Sequence, residues 1–129
     1  MLWLGGNHMS KSFDVHHLAR ALEQSQADVL RGLYTDDATM KIIDRDRPPS
    51  KPMIIEGQEK IAEFWRDVCS RDMTHKVTNI IAGEGGVSFV EECLYPDGCR
   101  VMSAMTLTLR DGRINEHLTV QAWDEVSCS

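Results

Sequence analysis

The sequence predicts an α+β fold in which a curved, mainly antiparallel sheet with a mixed edge wraps around N-terminal helices to form a cone. Apolar residues recur at helical spacing only in the N-terminal part of the chain. In the C-terminal part, the turn motifs GEGG, PDG and DG separate four segments of alternating, β-branched residues, a pattern typical of an antiparallel meander. A strongly curved sheet packed on helices can enclose an apolar cavity, so this fold class predicts a ligand pocket.

Three helices precede the meander. They are predicted at about residues 13–23, at about 26–34, and in the stretch after Gly57. Ser12 is the candidate N-cap of the first helix. The third helix carries Phe64 and Trp65 on its apolar face. Asp36 and Asp37 follow the second helix and are interpreted as a turn, because aspartate stabilises turns by bonding nearby backbone N–H groups.

Six strands are predicted. They span about residues 38–44, 53–55, 75–82, 87–95, 99–110 and 113–123. The segment RDRPPSKP separates the first two strands, and its three prolines exclude it from a helix interior and from a central strand. It is therefore predicted to be an exposed loop.

Charge and hydropathy limit the partners. The net charge is −6, and no run of Lys or Arg provides the basic surface that a nucleic-acid partner needs. The apolar runs are too short to cross a bilayer, and the N-terminus lacks the pattern of a signal peptide, so we expect a cytoplasmic protein with no membrane partner. We expect one domain over residues 12–125, a flexible extension over 1–11 with Met9 as an alternative start, and a tail over 126–129.

The cysteines and histidines do not form a known metal-binding pattern. The four cysteines include no CxxC pair, and the sequence has no HxH or HExxH motif, so no metal and no cofactor are predicted. In a reducing cytosol all four cysteines are expected to be free thiols. Cys93 and Cys99 flank a predicted hairpin turn, which leaves a disulfide between them as the alternative.

Three motifs, ADVLRGLYTDDATM, IEGQEKIAEFW and TLTLRDGRINEHLTVQAW, resemble the nuclear transport factor 2-like superfamily. The nearest branch is the SnoaL-like group, which includes polyketide cyclases and lies beside the ketosteroid isomerases. The likeness covers about residues 12–124, and its motifs are specific only as an ordered set. The resemblance implies a cone-shaped α+β fold, a pocket inside the cone and a homodimer packed sheet to sheet.

The resemblance also allows the isomerase residues to be checked. Ketosteroid isomerases use a tyrosine, an aspartate base and an aspartic acid, and the matching positions hold Leu18, Ile42 and Met105. None of these side chains transfers a proton, so isomerase chemistry by that machinery is not expected. Trp65 stands in place of a further tyrosine and keeps a flat wall without the hydroxyl.

Strand alternation predicts the side chains that face the cone if Ile42 and Met105 point inward. The predicted substrate contacts are Leu18, Ile42, Trp65, Met105, Thr119, Gln121 and Trp123. On the last strand, the opposite face carries Leu118 and Val120 and suits a dimer interface. A slip of one residue would invert these assignments.

His117 is the first candidate proton carrier, because the ordinary pKa of histidine suits acid–base chemistry at neutral pH. Thr119 stands where many SnoaL-like sequences have an aspartate, so a His–Asp pair on this strand is missing. The alternative is a hydrogen-bonded pocket histidine without a chemical role.

Asp44 is the second candidate, because it lies on the same strand face as Ile42 and about 7 Å further out, at ~3.3 Å of rise per residue. The alternative is a rim residue paired with Arg45 or Arg47. Glu91 or Glu92 must face inward or into an interface, and this residue is a third acid candidate. His75 is interpreted as a solvated residue at a strand end, with a position facing the pocket mouth as the alternative.

The leading functional hypothesis is a SnoaL-like protein that binds a small, largely apolar molecule. If it is an enzyme, we expect cofactor-free cyclisation, isomerisation, dehydration or hydrolysis, with His117 and Asp44 carrying protons and Gln121 orienting the substrate. The alternative is a non-catalytic small-molecule-binding or dimerisation module, which the loss of the isomerase groups favours. A third possibility is a protein–protein adaptor.

Overall fold

The structure is a computed structural model that describes residues 12–124. The predictions for residues 1–11 and 126–129 fall outside the described residues. The elements are α1 (Val15–Glu23), α2 (Ala27–Gly32), β1 (Tyr34–Ile43), β2 (Met53–Glu56), α3 (Gln58–Ser70), β3 (Thr74–Ala82), β4 (Gly86–Leu94), β5 (Arg100–Arg110) and β6 (Arg113–Trp123). This order confirms the predicted helices, short strands and four-stranded meander.

The six strands form one sheet in the order β2-β1-β6-β5-β4-β3. Every pair is antiparallel except β1 and β6, which run parallel and give the sheet its mixed character. The helices cover the concave face of this sheet and bury an apolar core with it. The predicted α+β cone is therefore confirmed.

The first helix begins two residues later than predicted. Its N-cap is Asp14 and not Ser12, because the Asp14 carboxylate accepts the backbone N–H groups of His16 at 3.0 Å and His17 at 3.2 Å. Gly57 precedes the third helix, as predicted, with a φ of 94° that glycine adopts without strain.

The interpretation of Asp36 and Asp37 as a turn is wrong. Strand β1 already begins at Tyr34, and both aspartates lie within it as exposed residues. The register against β6 shifts between Tyr34 and Thr39, so the intervening residues form a bulge. Sequence patterns missed this, because a bulge interrupts the alternation by which a strand is recognised.

The predicted facing of the last strand is confirmed. His117 and Thr119 are buried on the concave face, whereas Leu118 and Val120 are 37% and 44% exposed on the convex face. No helix among residues 12–124 is long and apolar enough to span a membrane. The cytoplasmic location stays a prediction.

A second bulge, in β3, determines where His75 lies. The register between β3 and β4 shifts between Thr78 and Ile81, and Asn79 has a φ of 55°. The extra residue brings His75 opposite Cys93 on the concave side, where it is buried. The interpretation of His75 as a solvated residue is therefore wrong.

The cysteines differ from the expectation at one position. Cys69 and Cys93 are free thiols, so the disulfide between Cys93 and Cys99 is not formed. Cys99 is disulfide-bonded, however, which contradicts its prediction as a free thiol. Cys128 lies outside the described residues.

Candidate functional site

A cavity of ≈ 430 Å³ lies between the concave face of the sheet and α3. Six of the seven predicted substrate contacts line it: Ile42, Trp65, Met105, Thr119, Gln121 and Trp123. Leu18 does not line this cavity; it packs in the apolar core, because α1 presents it to the helices and the sheet below the cavity. A ligand contact by Leu18 is therefore not supported.

Polar side chains form a row across the cavity. The sheet register aligns Glu91 of β4 with Ser103 of β5, and Ser103 with Gln121 of β6. Asp44 follows the residue of β1 that pairs with Val120, so it extends this row toward the cavity mouth. Neighbouring strands are ~4.8 Å apart, so the row crosses the cavity in steps of about that length.

Glu91 is the buried carboxylate of this row. Its Oε2 accepts a hydrogen bond from Nδ1–H of His75 at 2.9 Å, and the side chains are 4% and 2% exposed. The Sγ atom of Cys93 lies 3.4 Å from the same nitrogen. These three residues are called the Glu91 cluster below. Because Glu91 also lines the cavity, it is both oriented by His75 and part of the cavity wall.

The Glu91 cluster also carries three ligand types that zinc accepts, with the ligand atoms within 4.8 Å of one another. Its chemistry fits a hydrogen-bonded cluster better. The Nδ1–H of His75 is engaged by Glu91, and burial raises the pKa of the Cys93 thiol to about 12, assisted by the Glu91 charge. Furthermore, Nε2 of His75 is buried without a partner among residues 12–124, whereas metal-bound histidines bond their second nitrogen to an outer partner.

A second hydrogen-bonded group lies on the other side of the cavity, and it is called the tyrosine–histidine line below. Nε1–H of Trp65 donates to the hydroxyl of Tyr34 at 3.1 Å. That hydroxyl lies 2.8 Å from Nδ1 of His117, and Nε2 of His117 lies 2.7 Å from the hydroxyl of Thr119. All four side chains are buried.

One direction of the bonds in this line leaves no hydroxyl hydrogen buried away from the cavity. Trp65 is only a donor, so the Tyr34 hydroxyl accepts from it and donates its hydrogen to Nδ1 of His117. A neutral imidazole then carries its hydrogen on Nε2 and donates it to Thr119. In this direction the hydrogen without an acceptor among the described residues is that of Thr119, which faces the cavity. In the reverse direction it is that of Tyr34, which does not line the cavity, and burying it unpaired costs about 1–3 kcal/mol.

The pKa shifts agree with this neutral line. Burial lowers the pKa of His117 to about 3, so the imidazole is uncharged at neutral pH. Burial also raises the pKa of Tyr34, so its hydroxyl keeps its hydrogen. His117 is therefore a neutral relay between Tyr34 and Thr119.

Asp44 lies at the mouth of the cavity. Its carboxylate forms an ion pair with Arg47 at 2.9 Å and accepts the backbone N–H of Asp46 at 2.9 Å. Arg45 instead stacks over the ring of Trp123, 4.2 Å from its centroid. Asp44 thus has the features of the rim residue that the sequence left as an alternative.

The family comparison identifies the fold. The model of the SnoaL-like domain matches residues 15–117. The chain belongs to the SnoaL-like domain family. This confirms the predicted SnoaL-like branch of the nuclear transport factor 2-like superfamily. A comparison with curated protein sequences found no match.

Solved structures share the fold of this SnoaL-like domain. A candidate ketosteroid isomerase from Kribbella flavida has a TM-score of 0.70 and 16% identity, covering 87% of this chain and 76% of its own. An NTF2-like protein of unknown function from Mesorhizobium loti has a TM-score of 0.74 and 12% identity, covering 84% and 87%. IdmH, a candidate polyketide cyclase from Streptomyces antibioticus, has a TM-score of 0.61 and 22% identity, covering 83% and 88%.

Within this SnoaL-like domain, the cavity brings together a different polar set from the one predicted. His117 lies behind Thr119 and does not line the cavity, because its ring points to Tyr34. Glu91, only a third candidate from the sequence, lies in the wall, and alternation with Val87 and Phe89 was the signal for it. His75 carried no such signal, because the bulge at Asn79 changes its face.

Proposed function

We propose that this SnoaL-like domain binds a small, largely apolar molecule in its cone and acts on it by cofactor-free acid–base chemistry. Cyclisation, isomerisation, dehydration and hydrolysis are the reactions in scope. One observation carries the proposal: the Glu91 carboxylate is buried in the wall of a ≈ 430 Å³ cavity and held by His75 at 2.9 Å. Apolar side chains and oriented polar groups meet in the wall of this cavity, and that combination supports binding and chemistry together.

The proton carriers have distinct roles in this proposal. Glu91 accepts a proton from the ligand and returns it, while Nδ1–H of His75 holds the carboxylate in position. Asp44 exchanges a proton with a ligand group that reaches the cavity mouth. His117 acts through Thr119 and not directly, because it lies behind the cavity wall. Gln121 orients the ligand from the middle of the polar row.

We also propose the homodimer that the family resemblance implies, packed through the convex face of the sheet. Leu118 and Val120 expose apolar surface there, together with Met102 at 50% and Ile54 at 50%. An apolar patch of this kind supports an interface. Light scattering of the purified protein gives its mass in solution, and a monomer would contradict this part of the proposal.

The ligand itself can be found by native mass spectrometry of the purified protein, followed by the same sample after denaturation. A releasable molecule identifies the chemical class, and the purified compound is then incubated with wild-type protein and variants. We expect Glu91→Gln to reduce turnover by about 10²–10⁴-fold, the usual contribution of a positioned acid–base group.

Glu92→Gln is the matched control, because Glu92 is the exposed neighbour of Glu91 on the same strand. It should keep full turnover. If Glu91→Gln and Asp44→Asn both turn the compound over at the wild-type rate, the acid–base mechanism is wrong.

A non-catalytic binding module is the second candidate. It is favoured by the internal partners of two predicted proton carriers: Asp44 is paired with Arg47, and His117 is bonded on both ring nitrogens. Under this alternative, the wild-type protein binds the released molecule and forms no product detectable by mass spectrometry after long incubation.

A further inference from the structure

Thr119 is the point where the tyrosine–histidine line meets the cavity. Its Oγ1 accepts the Nε2–H of His117 at 2.7 Å, and its side chain is part of the cavity wall. Its neighbours across the sheet are Met105 on β5 and Ile42 on β1, whose side chains accept no strong hydrogen bond. None of the described residues accepts the hydroxyl hydrogen of Thr119.

The direction of the line determines what this hydroxyl offers to a ligand. A free threonine hydroxyl rotates and either donates or accepts. Here Oγ1 of Thr119 already accepts a hydrogen bond from His117, so the hydroxyl hydrogen of Thr119 is available to a molecule in the cavity. A chain of aligned hydrogen bonds polarises its last member, so Thr119 is a stronger donor than an isolated threonine.

We infer that the Thr119 hydroxyl anchors the ligand by donating a hydrogen bond to a carbonyl-type oxygen. The inference rests on the proposed binding of a small, largely apolar molecule and names its required polar group: a ketone or ester oxygen. Apolar side chains surround this donor, since Ile42, Met105 and Trp65 also line the cavity. His117, Tyr34 and Trp65 are positioning residues that orient Thr119.

Two isosteric probes test the anchor directly. The probes are 2-acetylnaphthalene, which has a carbonyl oxygen, and 2-isopropenylnaphthalene, which has a methylene group in its place. We expect wild-type protein to bind the ketone about five- to tenfold more tightly, the ratio that one additional hydrogen bond supplies. The Thr119→Val variant should lose this preference, and Thr119→Ser should keep it.

Thr106→Val is the matched control, because Thr106 lies on the next strand with its side chain exposed on the convex face. This variant should keep the preference for the ketone. Infrared spectroscopy of carbonyl-labelled ketone gives a second reading, since a donated hydrogen bond lowers its stretching frequency in wild-type protein and not in Thr119→Val. Equal ketone preference in wild type and Thr119→Val would overturn the inference.

The tautomer of His117 provides a test that needs no ligand. Nitrogen-15 NMR of the imidazole in ligand-free protein should show the hydrogen on Nε2. A hydrogen on Nδ1 would reverse the line and overturn the inference. If neither naphthalene binds, the proposed binding function fails, and the tautomer alone then decides whether Thr119 is the directed donor.

Discussion

The two hydrogen-bonded groups beside the cavity differ in how completely their polar atoms are paired. In the tyrosine–histidine line, each ring nitrogen of His117 and the hydroxyl of Tyr34 have partners. In the Glu91 cluster, Nε2 of His75 is buried, and neither it nor the adjacent Ser103 hydroxyl has a partner in the part of the chain that the structure describes. Completely paired networks hold residues in place, whereas buried unpaired atoms often mark sites with a chemical role. This difference agrees with the proposed roles, in which the tyrosine–histidine line positions Thr119 and Glu91 transfers the proton.

The largest expected effect is a loss of stability, caused by a substitution at the centre of the tyrosine–histidine line. Tyr34→Phe removes the acceptor of Trp65 and the donor to His117, which leaves two buried groups unpaired. We expect the free energy of unfolding to fall by roughly 2–5 kcal/mol, measured by urea denaturation. Tyr95→Phe, at a half-buried tyrosine of the cavity wall, should cost less than about 0.5 kcal/mol. Equal costs would contradict the central role of Tyr34.

The second-largest effect is expected from acid, which should lower the stability of the folded protein through His117. His117 has a folded-state pKa of about 3, and in the unfolded chain it titrates near its ordinary value. Below that value the unfolded state binds more protons, so stability falls with falling pH by about 1.4 kcal/mol per unit. From pH 6 to pH 4 this amounts to roughly 2–3 kcal/mol.

The contribution of His117 is isolated by comparing wild type with His117→Gln over this range, because other groups contribute equally to both proteins. His16→Gln, at an exposed histidine, should leave the wild-type dependence unchanged. In NMR titrations the His117 ring should not change between pH 7 and pH 4.5. A midpoint near pH 6 would contradict its burial as a neutral group.

Breaking the Glu91 cluster should cost less. His75→Leu removes the donor to the Glu91 carboxylate and should lower the free energy of unfolding by about 1–3 kcal/mol. The double variant His75→Leu/Glu91→Leu should recover part of this loss, because an apolar pair leaves no buried carboxylate unpaired. A double variant less stable than His75→Leu would show that the cluster is held by more than this bond.

The smallest loss of stability is expected at the cavity rim, and it gives a reference for the losses expected in the two buried groups. Arg47→Ala removes the ion pair with Asp44, in which the arginine side chain is 41% exposed and keeps the pair in contact with water, whereas the aspartate side chain is 10% exposed. Solvated pairs of this kind contribute about 0–1 kcal/mol. A loss of several kcal/mol in thermal or urea unfolding would mean that Asp44 belongs to a buried network and not to the rim.

The fold could be predicted from the sequence because its signals are local. The turns after β3, β4 and β5 and the apolar face of α3 determined the element order directly. The family resemblance suggested that Ile42 and Met105 face inward, and alternation along regular strands extended this facing to residues such as Thr119. These signals are physical consequences of helix and strand periodicity.

The site could be predicted only in part, because its polar contacts join residues far apart in sequence. Nothing in the sequence near His117 indicates that the Tyr34 hydroxyl lies 2.8 Å from its Nδ1 atom, since 83 positions separate the two residues. Two bulges account for the other errors of prediction. One displaced the start of β1, and the other changed the sheet face on which His75 lies. A pattern of period two cannot reveal where an extra residue is inserted.

The bulge at Asn79 gives β3 a second available alignment. If the strand continued regularly from its turn, His75 would lie opposite Leu94, whose side chain is 43% exposed on the convex face. Asparagine tolerates a φ of 55° far better than β-branched residues. Asn79→Val therefore favours the regular alignment and turns the histidine away from the cavity. The partner of Glu91 in the cavity wall thus depends on one exposed residue that does not itself line the cavity.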